Sequence, residues 1–217
     1  MTFDQLGKAM RETGVQPNFF YSKEYWDKAG WESSDDDVAF PVGVRSNEFF
    51  DYQYMYEPLS PDKVEGFLSG RKIRAVRKQY NKYVDKFKLS DADHDPEQLF
   101  VLWSDDKILY DVDVMIDYVF NGENKIHVVN ERDELVALLI WDQNEWYVNF
   151  RYCVVHPDYN GLSDYCRILF RTEMYKINPN KLINDGGSLD NEGLREYKLK
   201  LKPITVHKMY ARSNNEN

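Results

Sequence analysis

Val148-Asn149-Phe150-Arg151-Tyr152-Cys153-Val154-Val155-His156-Pro157-Asp158-Tyr159-Asn160-Gly161-Leu162-Ser163 changes its periodicity halfway along. Before His156, Trp146, Val148, Phe150 and Tyr152 stand two apart, which predicts a long strand over 145–155. After Gly161 the apolar residues Ile168, Leu169, Met174 and Tyr175 recur at helical steps, which predicts a helix from Gly161 to about Lys176. A strand that passes through a glycine turn into a helix start is a ready anion site. The first N–H groups of a helix lack intrahelical partners and its dipole is positive there, an advantage of about 1 kcal/mol for a phosphate. The bland alternative is a plain turn in which Gly161 only supplies permissive backbone angles.

The flanking segments set the fold class. Leu135 to Trp141 is a nearly continuous apolar run, as in a buried strand, and Asp142-Gln143-Asn144 reads as a tight turn into the next strand. Lys125 to Val129 is a further strand. Downstream, Leu182-Ile183-Asn184 is a short strand and Asp185-Gly186-Gly187-Ser188 a turn. Asp190 is the expected N-cap of a helix through about Lys200, and Ile204 to Tyr210 forms a last strand. Nearer the N-terminus, 38–44 and Phe49 to Tyr56 read as strands, the second with Phe50, Tyr52, Tyr54 and Tyr56 on one face. Ile73, Val76, Tyr80, Tyr83, Val84 and Phe87 stripe a helix over 71–87. A second helical region runs from Asp95 to Phe120, interrupted near Asp105. Phe3, Leu6 and Met10 suggest one short helix, and Ser33 to Asp37 reads as a loop. This order predicts an α+β fold, a central mixed, mostly antiparallel sheet flanked by helices. Residues 1–35 are expected as an N-terminal extension, 36–212 as one domain and 213–217 as a frayed tail.

Composition narrows the function classes. The 217 residues carry a net charge of −9, so a generally basic nucleic-acid coat is excluded, though a local patch is not. That patch exists: Arg71, Lys72, Arg74, Arg77, Lys78, Lys82 and Lys86 stand against the single Asp85. A solvated helix face is the ordinary fate of such a run; contact with tRNA, DNA or a phosphate-bearing cofactor is the functional one, and Arg71, Arg74, Arg77 and Lys78 are its candidates. No apolar run is long enough for a membrane span, and the N-terminus lacks the apolar core of a secretory signal. With only Cys153 and Cys166 present, a cytoplasmic, reducing setting is expected. Cys153 and His156, three apart along a strand, point to opposite faces, which disfavours a thiol nucleophile. The four histidines fit no zinc spacing, and Asp111, Asp113 and Asp117 fit a solvated helix face, so no metal is expected. There is no Walker loop and no GxGxxG.

Three segments carry a resemblance. Val155 to Ser163 is similar to the V-x-P-x-x-(R/Q)-G-x-G-x-(G/A) junction of the GNAT N-acetyltransferase superfamily. Asn160 stands where Arg or Gln is usual, and Ser163 and Tyr165 stand where small residues are usual. Leu68-Ser69-Gly70-Arg71-Lys72 with Arg77 to Tyr83, and Asn184 to Lys200, resemble segments of the lysyl-phosphatidylglycerol synthase C-terminal-like branch, which is related to the FemABX proteins. The match spans about residues 65–210.

The resemblance implies an acyl- or aminoacyltransferase that uses acyl-CoA or aminoacyl-tRNA and an amine or hydroxyl acceptor. It implies a donor site at Val155, Tyr159, Asn160, Gly161, Leu162 and Ser163, with the donor carbonyl on backbone N–H groups near Cys153 to Val155. Tyr197 would be the acid and Asp185, or an ordered water, the base. Lys198 would meet a substrate phosphate or carboxylate, and Asn184 and Ser188 would hold substrate. Each has a bland alternative: core packing for Tyr197, a solvated helix face for Lys198, turn chemistry for Asn184 and Asp185. Two other functions fit the same pattern: modification of a nucleic-acid base, as in phage-type DNA modification, and a catalytically dead, GNAT-shaped binding protein.

Overall fold

The computed structural model describes residues 20–22, 33–35, 38–39, 49–104, 112–144, 147–187 and 191–211. Its strands are β1 (Phe20–Ser22), β2 (Ser33–Asp35), β3 (Val38–Ala39), β4 (Phe49–Tyr56), β5 (Lys88–Ser90), β6 (Lys125–Val129), β7 (Leu135–Gln143), β8 (Tyr147–Val155), β9 (Leu182–Asn184) and β10 (Thr205–Ala211). Its helices are α1 (Val64–Phe67), α2 (Arg74–Tyr83), α3 (Glu97–Ser104), α4 (Val112–Asn121), α5 (Leu162–Ile177) and α6 (Glu192–Lys200). The fold is α+β, with mixed, mostly antiparallel strand pairing. The chain divides into two compact units, residues 56–185 and residues 1–55 with 186–217.

In the unit of residues 56–185 the strand order is β9-β8-β7-β6-β5. All neighbours are antiparallel except β8 and β9, which are parallel. The apolar run of β7 makes it the central strand, and Ala137 to Ile140 are wholly buried. One face packs on α3 and α4 through Leu138, Ile140 and Val154 against Leu99, Phe100, Met115 and Val119. The other packs on α5, where Phe150 stacks on Phe170 at 4.2 Å. Helix α2 lies on α5. Ile73, Val76 and Tyr83 are buried on one side of α2, while Arg71, Lys72, Arg74, Lys78, Lys82 and Lys86 are exposed.

Several expectations shift here. The helix over 71–87 is shorter, because the chain leaves helical geometry after Tyr83 to feed β5, a strand the sequence did not signal. Phe87 stays buried nevertheless, while Val84 is exposed. The expected turn at Asp142-Gln143-Asn144 begins later, since Asp142 and Gln143 remain in β7, opposite Asn149 and Val148.

The larger correction lies inside β8. Trp141 pairs with Phe150 and Ile140 with Tyr152, so Arg151 is an extra residue, a β-bulge. The bulge breaks the alternation read from the sequence. Phe150 meets Phe170 of α5, whereas Tyr152 packs on the α3–α4 side beside Tyr118 at 5.8 Å.

In the other unit β10 pairs antiparallel with both β1 and β4. The Ile204 N–H donates to the Met55 carbonyl at 2.9 Å and the Tyr54 N–H to the Gly186 carbonyl at 3.3 Å. Residues 33–35, read as loop, instead pair with β3. Helix α6 is capped by Asn191, whose side chain accepts the Leu194 N–H at 2.9 Å, one residue beyond the expected cap. Asp190, Ser188, Asp111, the segment with Phe3, Leu6 and Met10, residues 40–44 and the tail lie outside the described residues.

Candidate active site

Strands β8 and β9 pair at three positions only, Tyr147 with Leu182, Val148 with Ile183 and Asn149 with Asn184. Strand β9 ends at Asn184 because the Asp185-Gly186 segment turns away, with Gly186 at φ +66°. Strand β8 continues past this last pair, through the bulge, to Val155. On its other side it is still paired with β7, up to Val155 opposite Ala137. The two parallel strands thus part at Asn149 and Asn184.

At the end of β8 the chain enters the turn of Tyr159 to Ser163. Gly161 has φ +79°, where an L side chain is strained, and a Cβ there would sit 2.3 Å from the Gln79 side chain of α2. The Asn160 carbonyl accepts the Tyr83 hydroxyl at 2.8 Å and Lys82 Nζ at 3.3 Å. The basic helix therefore buttresses this turn and sets an ammonium beside it.

The expectation of free N–H groups is only partly met. The Leu162 N–H donates to the Tyr159 carbonyl and the Asp164 N–H to the Gly161 carbonyl. The first turn of α5 also carries the carboxylate of Asp164. Tyr165 is buried among Tyr80, Tyr83 and Phe87, which explains a bulky residue at that position.

Where the strands part, Asn184 Nδ2 donates to Asn149 Oδ1 at 3.3 Å, and Asn149 Nδ2 donates to Asp142 Oδ1 at 2.7 Å. Asp142 Oδ2 accepts Tyr118 Oη at 2.7 Å and Arg151 Nε at 2.6 Å. Burial works to raise the Asp142 pKa, but these hydrogen bonds outweigh it and lower it. Asp185 is buried and ion-paired with Arg167 of α5, whose guanidinium lies over the Phe150 ring. Cys166 is buried against Cys153, and burial together with that contact pushes its thiol pKa up, which suits packing rather than nucleophilic attack.

Tyr197 and Lys198 lie on α6 in the other unit. Lys198 is 3% exposed, with Nζ 5.5 Å from the centre of the Tyr54 ring, so it is not a solvated-face lysine. Leu194 four residues before it and Leu201 three after it place it on the inward face. Among the basic candidates, Arg77 differs: its Nη1 donates to the Leu68 carbonyl at 2.8 Å and closes the turn before α2, while Arg71, Arg74 and Lys78 face solvent. Sequence reasoning missed Arg151, Asp142 and Tyr118. The Asp142-Gln143-Asn144 turn assignment and the unbroken alternation through Phe150 and Tyr152 hid them.

This architecture, with a parallel strand pair that parts beside a strand–turn–helix junction, is a GNAT-like fold, similar to the C-terminal domain of a putative lysylphosphatidylglycerol synthetase. A conserved protein of unknown function from Bacteroides thetaiotaomicron is similar over 96% of this chain and 74% of that one, at 16% identity and a TM-score of 0.62. L-PGS from Bacillus licheniformis is similar over 80% of this chain and 63% of that one, at 16% identity and a TM-score of 0.56. The C-terminal domain of a putative lysylphosphatidylglycerol synthetase from Agrobacterium fabrum is similar over 97% of this chain and 72% of that one, at 14% identity and a TM-score of 0.56. At these identities the likeness is one of fold. No family model matches the chain, and no curated protein does. No helix of the described residues is long and apolar enough to cross a membrane.

Proposed function

We propose that this chain transfers an acyl or aminoacyl group from a CoA thioester or an aminoacyl-tRNA ester to an amine or hydroxyl acceptor. One observation carries the reading: β8 and β9 pair only as far as Asn149 and Asn184, while β8 runs on to Val155. The edge of an extended strand offers N–H and C=O groups at regular spacing, which suits an amide-bearing donor arm laid alongside it. The donor's phosphate end would then lie toward Tyr159 to Ser163 and its carbonyl toward the N–H groups of Cys153 to Val155. There the hydrogen bonds would strengthen as the carbonyl oxygen gains charge.

The acceptor nitrogen or oxygen forms the new bond to the carbonyl carbon, and the C–S or C–O bond to the donor breaks. In this reading the resemblance assigns Tyr197 as the acid that protonates the leaving atom, while Asp185, steadied by Arg167, takes the acceptor's proton directly or through an ordered water. Asn184 and Ser188 hold substrate amides, and Lys198 offsets a substrate phosphate or carboxylate. Most of the acceleration comes from holding two reactants in line.

The open strand edge suits the amide-bearing arm of CoA, whereas two other features favour aminoacyl-tRNA. The Leu162 and Asp164 N–H groups are already spent on backbone carbonyls, which leaves less for a pyrophosphate. The exposed cations of α2 lie along the helix whose Lys82 reaches Asn160, and a polyanion fits them.

The test is donor consumption. Purified protein is incubated with a panel of acyl-CoAs, with release of free thiol followed, and with charged tRNAs, with loss of the aminoacyl ester followed. We expect turnover of one donor class, lowered about 100-fold or more by Tyr197→Phe and by Lys198→Ala. If neither donor class binds or turns over, or if both variants keep the full rate, the reading is wrong.

A further inference from the structure

We propose that Arg151 is the anchor for the acceptor, a fixed guanidinium that takes a carboxylate or phosphate-ester group on the molecule being acylated. The inference rests on the transferase reading for its context, but its geometry stands apart from that reading. Arg151 is the bulged residue of β8, the first but one beyond the last β8–β9 pair. Bulges re-aim side chains, and this one sends Arg151 to the α3–α4 side of the sheet, opposite α5. Its guanidinium carbon lies 5.8 Å from the centre of the Tyr118 ring of α4.

The side chain is held rather than loose. Its Nε–H donates to Asp142 Oδ2 at 2.6 Å. Asp142 is itself fixed by the Tyr118 hydroxyl and the Asn149 amide, each at 2.7 Å. Asn149 is in turn bonded to Asn184, so the chain of hydrogen bonds reaches the point where β8 and β9 part. This arrangement uses only one of the five guanidinium N–H donors. Among the described residues neither Nη has a hydrogen-bond partner, and the side chain is 45% exposed.

An ordinary surface ion pair joins two long, mobile side chains and contributes little. Here a short, three-times-bonded carboxylate orients a cation whose outer fork is open. Two Nη groups in a plane match the two oxygens of a carboxylate or phosphate. Asp142 already offsets the positive charge, so the selectivity comes from the fork's geometry more than from long-range attraction, and a singly charged group suffices.

The test pairs acceptors that differ by one charge: glycine with glycinamide, and phosphoethanolamine with ethanolamine. For the wild-type protein we expect kcat/KM to favour the charged member of one pair by about tenfold or more, the pair identifying carboxylate or phosphate. Arg151→Gln should erase that preference through KM, Arg151→Lys should keep part of it, and Lys176→Gln, on the exposed end of α5, should change nothing. An independent readout is the Arg151 Nε–Hε resonance of labelled wild-type protein, which should shift on titration with acetate or methyl phosphate. A folded Arg151→Gln protein with an unchanged preference, a wild type without preference, or a resonance indifferent to both anions overturns the proposal. If no acceptor is acylated by any protein, the transferase reading fails, and the titration alone still decides for or against the anion fork.

Discussion

Replacing Gly161 by alanine sets two separable costs against each other. The first is backbone strain: at φ +79° an L residue is disfavoured by about 1–2 kcal/mol. The second is a collision, since the new Cβ would lie 2.3 Å from Gln79 Cδ and 2.6 Å from Cγ and Oε1. Gln79 must therefore move. Its Oε1 is buried with no hydrogen-bond partner, so no bond is lost on moving, and the repacking costs about 1–3 kcal/mol. Gly161→Ala should thus lose about 2–5 kcal/mol in urea unfolding followed by far-ultraviolet circular dichroism. In a Gln79→Ala background the collision is gone and only the backbone cost of about 1–2 kcal/mol should remain. The coupling between the sites is then about 1–3 kcal/mol. Equal losses in both backgrounds would mean that α2 does not press on this turn. A Gly161→Ala protein as stable as the parent would mean that the turn is not left-handed, and the account of the strand–helix junction would fall with it.

Three other outcomes follow from the packing. Tyr83→Phe removes the hydroxyl that donates to the Asn160 carbonyl and should cost about 1 kcal/mol, measured by the same unfolding assay. Phe170→Ala removes a buried ring stacked on Phe150 and should cost about 3–5 kcal/mol, with a loss below 1 kcal/mol counting against the packing of α5 on the sheet. His127 is buried, and burial lowers its pKa below the ordinary 6.5 despite Asp93 pulling the other way. The unfolded chain therefore takes up this proton first, so stability present above pH 6.5 declines as the pH falls from there toward the lower folded value. His127→Gln should flatten that decline in urea midpoints measured between about pH 7.5 and 5, and an unchanged slope would place its origin elsewhere.

Much of this fold is readable in the sequence because the apolar pattern and the structure share a period. Strand β4 over Phe49–Tyr56 and strand β9 over Leu182–Asn184 fall where the apolar residues put them, as does the start of α5 after Gly161. What escaped the reading is what has no periodic trace. Strand β5 is three residues long, Lys88 and Leu89 are exposed, and no alternation announces it. Asp190 and Asn191 are both good caps, and only backbone geometry chooses Asn191. The solvated face, the bland alternative for Lys198 beside Lys200 and Lys202, is not the one it takes, and its spacing from Leu194 and Leu201 marks the inward side. The separation of β8 from β9 depends on β9 being short, which was legible, while the network from Asn184 to Arg151 depends on the bulge, which was not.

The extra residue at Arg151 splits β8 into two halves of opposite parity. Even-numbered side chains up to Phe150 share the α5 side with odd-numbered Cys153, whereas Tyr152 and Val154 look the other way. Any residue-by-residue comparison with a chain lacking the bulge must therefore open a gap at this point. Aligned without one, every position on one side of the gap would be matched to a neighbour from the wrong face. Conserved contacts would be scored as differences, and a shared site would vanish from view.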